Sequence, residues 1–301
     1  MINDFKQLLK RGKKLPCRRL AVAGADDADV ISAVYQAEGL GLVSPILIGN
    51  EIKIKELLRK IPSKADIIKA DRKEDAAAQA VKMIRDGKAD FLMKGMIDTG
   101  TLLKAVVNRD TGIRKAPVLS HVAVLSVPNF NRLLIATDCA MIITPTCEEK
   151  IRIIENALTV ARALGIIIPK VGVLSLTEKI NPKIPSSIEA DMLAQYFAPR
   201  DDVIVEGPFA LDNVISENAA RRKGITGKVA GAADILVFPG IEAGNIFYKT
   251  VVYFAGCVPT GIIVGAKCPI VLTSRADSEQ AKLYSIILAM VVHGETVNIS
   301  H

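Results

Sequence analysis

From Leu20 onward, short β-branched runs alternate with amphipathic segments at the pace of a strand-helix unit. Leu20 to Ala23, Val43 to Ile48, Ile67 to Ile68 and Phe91 to Met93 read as strands. The intervening helices show in the spacing of Val30, Val34 and Ala37, then Ile54, Leu57 and Leu58, then Ala77, Val81 and Ile84. This alternation predicts a parallel sheet with helices on both faces. Ahead of it, Phe5, Leu8 and Leu9 share one face of a lysine-rich surface helix. Val118 to Leu125 is a further apolar strand, and the composition shift over 126–131 predicts a crossover into a second domain. There Leu133 to Ala136, Val171 to Leu174, Val203 to Val205 and Asp234 to Phe238 read as strands. Thr146-x-x-Glu149 predicts a capping box for a helix through Ile151, Ile154 and Leu158, closed by Gly165. Ser186-x-x-Glu189 predicts a second box, and Asp212 to Arg222 a single helix. Ile262 to Val264 and Ile270 to Leu272 are strands again, and Leu283, Ile286, Ile287 and Met290 mark the last helix.

The 301 residues, 50% hydrophobic, suffice for one large or two medium domains with buried cores. Pro, Lys or Gly interrupts every apolar run before the roughly 18 residues that span a bilayer, and no signal peptide opens the chain, which predicts a cytoplasmic protein. The five cysteines, Cys17, Cys139, Cys147, Cys257 and Cys268, form no CxxC pair, so reduced and mostly buried thiols are expected in place of disulfides or zinc. The net charge of +7 favours anionic partners, but it is spread along a chain with 4% aromatic residues and no Trp. That profile suits small phosphorylated substrates and not nucleic acid, which requires a basic stripe or stacking platforms.

Candidate chemistry concentrates where strands hand over to helices. Thr273-Ser274-Arg275-Ala276-Asp277-Ser278 lies between an apolar strand and the last helix, where free N–H groups, a helix dipole and an arginine suit a phosphate or an oxyanion. Ser274-x-x-Asp277 and Asp277-x-x-Gln280 are equally capping boxes, so the same residues admit a purely structural reading. Lys94-Gly95 ends a strand and, with Lys104 in the next helix, places lysines near the carboxyl edge of the sheet. His121, within an apolar strand, reads as a satisfied core histidine; the other histidines are His293 and His301. Pro239 to Lys249 reads as a loop at a helix start, where Gly244 and Asn245 let backbone approach a ligand. Neither GxGxxG nor GxxxxGK[ST] occurs, so a dinucleotide site or a P-loop is unsupported.

Taken together, DILVFPGIEAGNIFYK, SRADS before a helix, TDCAM with a Pro-Thr-x-Glu-Glu helix start, and LMKG resemble the phosphate acetyltransferase and butyryltransferase family in motif order over nearly the whole chain. SHVAV, LTSRADS and LLKAVVNR look closer to its butyryltransferase branch. The resemblance implies a three-layer α/β/α fold of the isocitrate and isopropylmalate dehydrogenase type, with an active-site cleft between two domains. The first would comprise residues 1–127 and 266–301, the second 128–265. The implied reaction interconverts butyryl-CoA and phosphate with butyryl phosphate and CoA, in a ternary complex without an acyl-enzyme. CoA then serves as substrate, no metal or cofactor is required, and a homo-oligomer is expected.

The resemblance also implies roles. Ser274 and Arg275 match a catalytic Ser-Arg pair, with Arg275 clamping phosphate and Ser274 supporting the thioester or thiol, beside Thr273 as a substrate-binding residue. Lys104 stands about where acetyltransferases carry a substrate-binding arginine, and offers a point charge in place of a fork. Lys94, Gly244 and Asn245 complete the implied substrate contacts. The position of the proposed thiol base holds Ala281, leaving Asp277 and Glu279 as nearby candidates, of which Glu279 suits a helix N-terminal charge. Cys139 matches a family cysteine and reads as a packed thiol. The alternatives are acetyl-CoA as substrate, a metal- and nicotinamide-dependent hydroxy-acid dehydrogenase on the same fold, and a non-catalytic CoA-binding subunit.

Overall fold

The structure, a computed structural model, describes residues 1–274 and 276–298, without the side chains of 296–298, so Arg275 and His301 lie outside the described residues. The chain begins with α1 (Phe5–Gly12), β1 (Arg18–Ala23), α2 (Ala28–Gly39), β2 (Val43–Gly49), α3 (Glu51–Leu58), β3 (Asp66–Lys69), α4 (Lys73–Arg85), β4 (Phe91–Lys94) and α5 (Thr99–Val106). It continues with β5 (Ser120–Ser126), β6 (Leu134–Thr137), α6 (Cys147–Ala163), β7 (Lys170–Leu174), α7 (Pro185–Phe197), β8 (Ile204–Phe209), α8 (Leu211–Ile215), α9 (Glu217–Arg222), β9 (Ile235–Val237) and α10 (Ile241–Tyr253). It ends with β10 (Val258–Val264), β11 (Ile270–Val271) and α11 (Glu279–Asn298).

Two units emerge from the internal contacts. Asp4–Leu119 and Thr260–His301 form a terminal unit, whereas Ser120–Pro259 with Met1–Asn3 form a central unit. In the terminal unit the strand order is β3-β2-β1-β4-β11-β10. All neighbours there are parallel except β10 and β11, which pair antiparallel through Ile262–Val271 and Ile263–Ile270. The central unit has the order β5-β6-β9-β7-β8, parallel except for β5 against β6.

The all-parallel expectation is therefore corrected to a mixed α/β arrangement. The two antiparallel pairs have short connections, residues 265–269 and 127–133, whereas a parallel crossover takes roughly a dozen residues or more. Leu20, Val22, Phe91, Met93, Ile270 and Ile286 build the buried core of the terminal unit, and Leu125, Leu134, Ala136, Leu236 and Phe238 that of the central unit.

Capping expectations divide. Thr146 and Glu149 do form a reciprocal capping box on α6. Ser186 and Glu189 do not: α7 starts with Pro185 at its first position and no side-chain cap, Ser186 bonds Ser175, and Glu189 pairs with Lys150. The helix expected over 212–222 breaks at Ser216, whose extended backbone ends α8 and whose hydroxyl accepts from Ala219 N to start α9.

Candidate active site

Three parallel strands, β1, β4 and β11, present their carboxyl ends side by side in the terminal unit. The chain leaves β1 through Gly24 to Asp27 into α2, leaves β4 through Gly95 to Asp98 into α5, and leaves β11 through Leu272 to Ser278 into α11. Between these exits lies a cavity of about 110 Å3 lined by Asp27, Val30, Lys94, Gly95, Met96, Thr273, Ser274 and Lys282. This is the sheet edge where open α/β folds bind ligands. The volume holds a few waters or one tetrahedral oxyanion.

Gly95 makes the tight approach that closes one wall. Its N–H donates to Ala23 O at 2.8 Å and the next, Met96 N–H, to Gly24 O at 2.7 Å. A Cβ on Gly95 would stand 2.0 Å from Gly24 O. Lys94, 6% exposed, folds its ammonium onto this turn and donates to Gly95 O at 3.1 Å and Ile97 O at 3.3 Å. A buried ammonium without such acceptors would be costly.

Opposite, the Ser274 N–H donates to Asp277 Oδ2 at 2.7 Å and the Asp277 N–H to Ser274 O at 3.1 Å, a reciprocal turn that sets the Ser274 hydroxyl at the cavity. Neither Ser274 nor Asp277 caps α11, which corrects both capping boxes expected there. Ser278 performs that task, its Oγ accepting from Ala281 N at 3.2 Å one turn into the helix. Lys94, Thr273, Ser274 and Asp277 are thus brought together. Arg275 belongs to the same turn in sequence but lies outside the described residues.

Lys282 is a lining residue that sequence reasoning did not single out. A signal was present: it lies on a helical stripe with Ser285, Ile286 and Ala289, all fully buried, and a lysine on such a stripe calls for a partner.

Lys104 is elsewhere in the unit. Exposed on α5, it lines a groove of about 470 Å3 against α4 with Gln79, Lys82, Arg85, Asn108 and Thr111, and does not reach the Lys94 cavity.

Gly244 and Asn245 lie inside α10, not in a loop. A Cβ on Gly244 would fall 2.3 Å from Asp138 O, and Asn245 Nδ2 donates to Cys139 O at 3.1 Å. Both residues thereby hold the turn after β6 against α10. That turn is organised by Asp138, whose carboxylate accepts from the N–H groups of His121, Ala140 and Met141 at 3.1, 2.7 and 2.8 Å. Burial pushes the Asp138 carboxyl up to about 6 against these hydrogen bonds. Burial also pushes the Cys139 thiol up, as fits a packed thiol and not a nucleophile. His121 is buried as expected but not satisfied: its ring stands edge-on to Tyr248 at 6.3 Å, and Nδ1 has no hydrogen-bond partner among the described residues. Burial pushes its pKa down to about 4, so the imidazole is neutral at pH 7.

Among the described residues no three His, Cys, Asp or Glu side chains converge as a cation site, and no helix is long and apolar enough to cross a membrane. The model of the phosphate acetyl/butaryl transferase family matches residues 64–290. The chain is 42% identical over 298 residues to a phosphate butyryltransferase of Clostridium beijerinckii, covering 97% of this chain and 98% of that one. It is 43% identical over 289 residues to a phosphate acetyltransferase of Thermotoga maritima, covering 94% and 97%. A branched-chain phosphotransacylase from Enterococcus faecalis superposes with a TM-score of 0.83 at 35% identity, covering 92% of this chain and 99% of that one. With a matching model over most of its length and relatives alike from end to end, the chain belongs to the phosphate acetyl/butaryl transferase family.

Proposed function

We propose that this protein is a phosphate acyltransferase that interconverts butyryl-CoA and inorganic phosphate with butyryl phosphate and CoA. Membership of the family, with end-to-end relatives named phosphate butyryltransferase and phosphate acetyltransferase, carries the proposal. The Lys94–Ser274 cavity supports it, being sized for one oxyanion at the carboxyl edge of the sheet.

In this reading a phosphate oxygen attacks the thioester carbonyl carbon. The C–S bond of the tetrahedral intermediate then breaks, and CoA departs as thiolate. The Lys94 ammonium and Arg275 hold the phosphate, with Thr273 beside them. Ser274 supports the sulfur, and Asp277, which grips the Ser274 N–H, fixes the position of that hydroxyl. Gly244 and Asn245 contribute by holding the Asp138 turn, and the Lys104 groove offers charge to CoA. Positioning and charge stabilisation supply the rate. The scheme uses no metal or cofactor and runs by direct transfer in a ternary complex, in a protein we expect in the cytoplasm. A second copy of the chain is the expected partner, supported by the exposed apolar side chains Leu176, Ile246, Tyr253 and Phe254 of the central unit.

The test is thiol release from acyl-CoAs of graded length, with and without phosphate. Phosphate-dependent release, fastest with butyryl-CoA and giving intersecting initial-rate lines, is expected. Release that ignores phosphate identifies a thioesterase and ends the proposal. Preference for acetyl-CoA instead moves the chain to the acetyl branch.

A further inference from the structure

Lys282 is a buried charge to which the reaction scheme gives no task. It is 3% exposed in the first turn of α11 and lines the 110 Å3 cavity opposite Lys94 and Gly95. Among the described residues its Nζ donates one hydrogen bond, to Asp277 O at 2.5 Å. The nearest carboxylate oxygen, Asp29 Oδ2, stands 3.7 Å away, beyond hydrogen-bond length, on a side chain that is 58% exposed. An ammonium carries three N–H donors, so two remain for whatever fills the cavity. The carboxylates nearby are already engaged by backbone: Asp27 accepts from Val30 N at 3.0 Å and Asp277 from Ser274 N at 2.7 Å. Among the described residues the hydrogen bond that Lys282 donates goes to a neutral carbonyl oxygen, and its ion pair with Asp29, at 3.7 Å, is long.

We propose that Lys282 and Lys94 together form a two-ammonium seat for a single inorganic phosphate, and that Lys282 sets the affinity of the enzyme for that substrate. The inference rests on the phosphate acyltransfer reading and assigns its phosphate subsite. Two point charges with rotatable donors suit a compact tetrahedral oxyanion, which accepts hydrogen bonds in every direction. A space of about 110 Å3 admits that ion and excludes the nucleotide portion of CoA. Ser274, at the same cavity and assigned to the sulfur, then brings the thioester beside the bound phosphate, so that nucleophile and thioester meet at this turn.

The experiment compares Lys282→Met, Lys282→Arg and Asp29→Asn in the full chain with the parent protein. Thermal unfolding is recorded with and without millimolar inorganic phosphate, and initial rates are measured with phosphate and butyryl-CoA varied in turn. Phosphate raises the Tm of the parent and of Asp29→Asn, raises it partly in Lys282→Arg, and leaves Lys282→Met unmoved. The KM for phosphate rises roughly 10- to 100-fold in Lys282→Met, as for loss of a hydrogen bond to a charged group, while the KM for butyryl-CoA stays within about twofold. Should Lys282→Met fail to fold, the reduced phosphate shift and raised phosphate KM of Lys282→Arg carry the same decision. An unchanged phosphate KM in both Lys282 variants overturns the seat, as does an effect that Asp29→Asn reproduces, which would make Lys282 a clamp between α11 and α2. A rise confined to the KM for butyryl-CoA overturns it in favour of a CoA phosphate. A Lys282-dependent phosphate shift in a protein without acyl transfer keeps the seat and ends the proposed function; transfer with a phosphate KM indifferent to Lys282 does the reverse.

Discussion

Adding one methyl group at Gly95 tests how the wall of the Lys94 cavity is built. The substitution Gly95→Ala places a Cβ 2.0 Å from Gly24 O, 2.7 Å from Gly24 C and 3.0 Å from Ala23 O, all backbone atoms at the end of β1. The φ of Gly95 lies outside the left-handed region, so alanine meets no conformational barrier and the cost is steric. Relief requires β4 and β1 to part at their carboxyl ends, which breaks the Gly95 N–Ala23 O and Met96 N–Gly24 O hydrogen bonds. Two net hydrogen bonds at about 1 kcal/mol each, with overpacking of about 1–3 kcal/mol, give roughly 3–5 kcal/mol of destabilisation. At about 2–4 °C per kcal/mol for a unit of this size, Tm falls by roughly 6–20 °C. Because Gly95 O accepts from the Lys94 ammonium, phosphate-dependent turnover falls as well at a temperature where the variant is folded. Gly100→Ala is the control: in the first turn of α5, with nothing within 4 Å of the new Cβ, it gains a few tenths to about 1 kcal/mol from helix propensity and reduced unfolded-state entropy. Thermal and denaturant unfolding of both variants, with turnover on the same samples, decides the matter. A Gly95→Ala protein as stable as Gly100→Ala would refute the packing argument and, with it, the placement of Lys94.

Arg275→Ala lowers kcat/KM for the phosphate-dependent reaction by roughly 30- to 1000-fold and Arg275→Lys restores part of it, since an ammonium keeps the charge and loses the fork; near-parental activity in Arg275→Ala would remove this residue from the scheme. Ser274→Ala lowers turnover with little change in Tm, because Ser278 and not Ser274 caps α11; a drop in Tm with turnover intact would reverse that assignment. Asp138, with a folded pKa of about 6 against 3.8, contributes stability that is full below pH 3.8 and lost as pH rises through about 6. The stability of the parent relative to Asp138→Asn therefore declines by roughly 2 kcal/mol between pH 4 and pH 7, and a flat difference across denaturant melts in that range would show the carboxylate is not desolvated. Thr146→Ala removes the acceptor for Glu149 N and costs about 1 kcal/mol in unfolding free energy, without altering the KM for either substrate.

Strand positions were legible because a buried strand must be apolar wherever it lies. The runs at 20–23, 43–48 and 91–93 appear as β1, β2 and β4 within a residue or two, and the Thr146 box appears with both of its hydrogen bonds. Strand direction was not legible, since it depends on whether a connection is long enough to cross over, and β10 and β11 read the same way whether parallel or antiparallel. Caps failed where a competing partner existed. Ser-x-x-Glu at 186–189 satisfies the pattern, yet Pro185 already supplies the first helical position and Glu189 finds Lys150, which is nearly fully buried. In 274–280, three capping-type residues, Ser274, Asp277 and Ser278, offered overlapping solutions. The chain uses Ser278 for α11 and frees Asp277 to hold the Ser274 N–H.

The missed lysine shows what one-dimensional spacing cannot carry. Lys94 attracts notice because it ends a strand beside a glycine, and Ser274 because it follows another strand. Lys282 follows no strand, and a lysine in the first turn of a helix ordinarily extends into water. Its burial is set by tertiary facts: β11 runs parallel to β4 and brings the end of the last strand beside Lys94, while α2 packs along α11 and brings Asp29 near Nζ. Those pairings span far more than a hundred residues of chain, so no local pattern encodes them, and both depend on the C-terminal segment completing the sheet begun by the first strands. The same return of the chain gives the cavity its charge. Among the described residues, the turns after β1 and β4 line the cavity with Asp27 and Lys94; α11 adds a second ammonium, Lys282, and the edge becomes a seat for an anion.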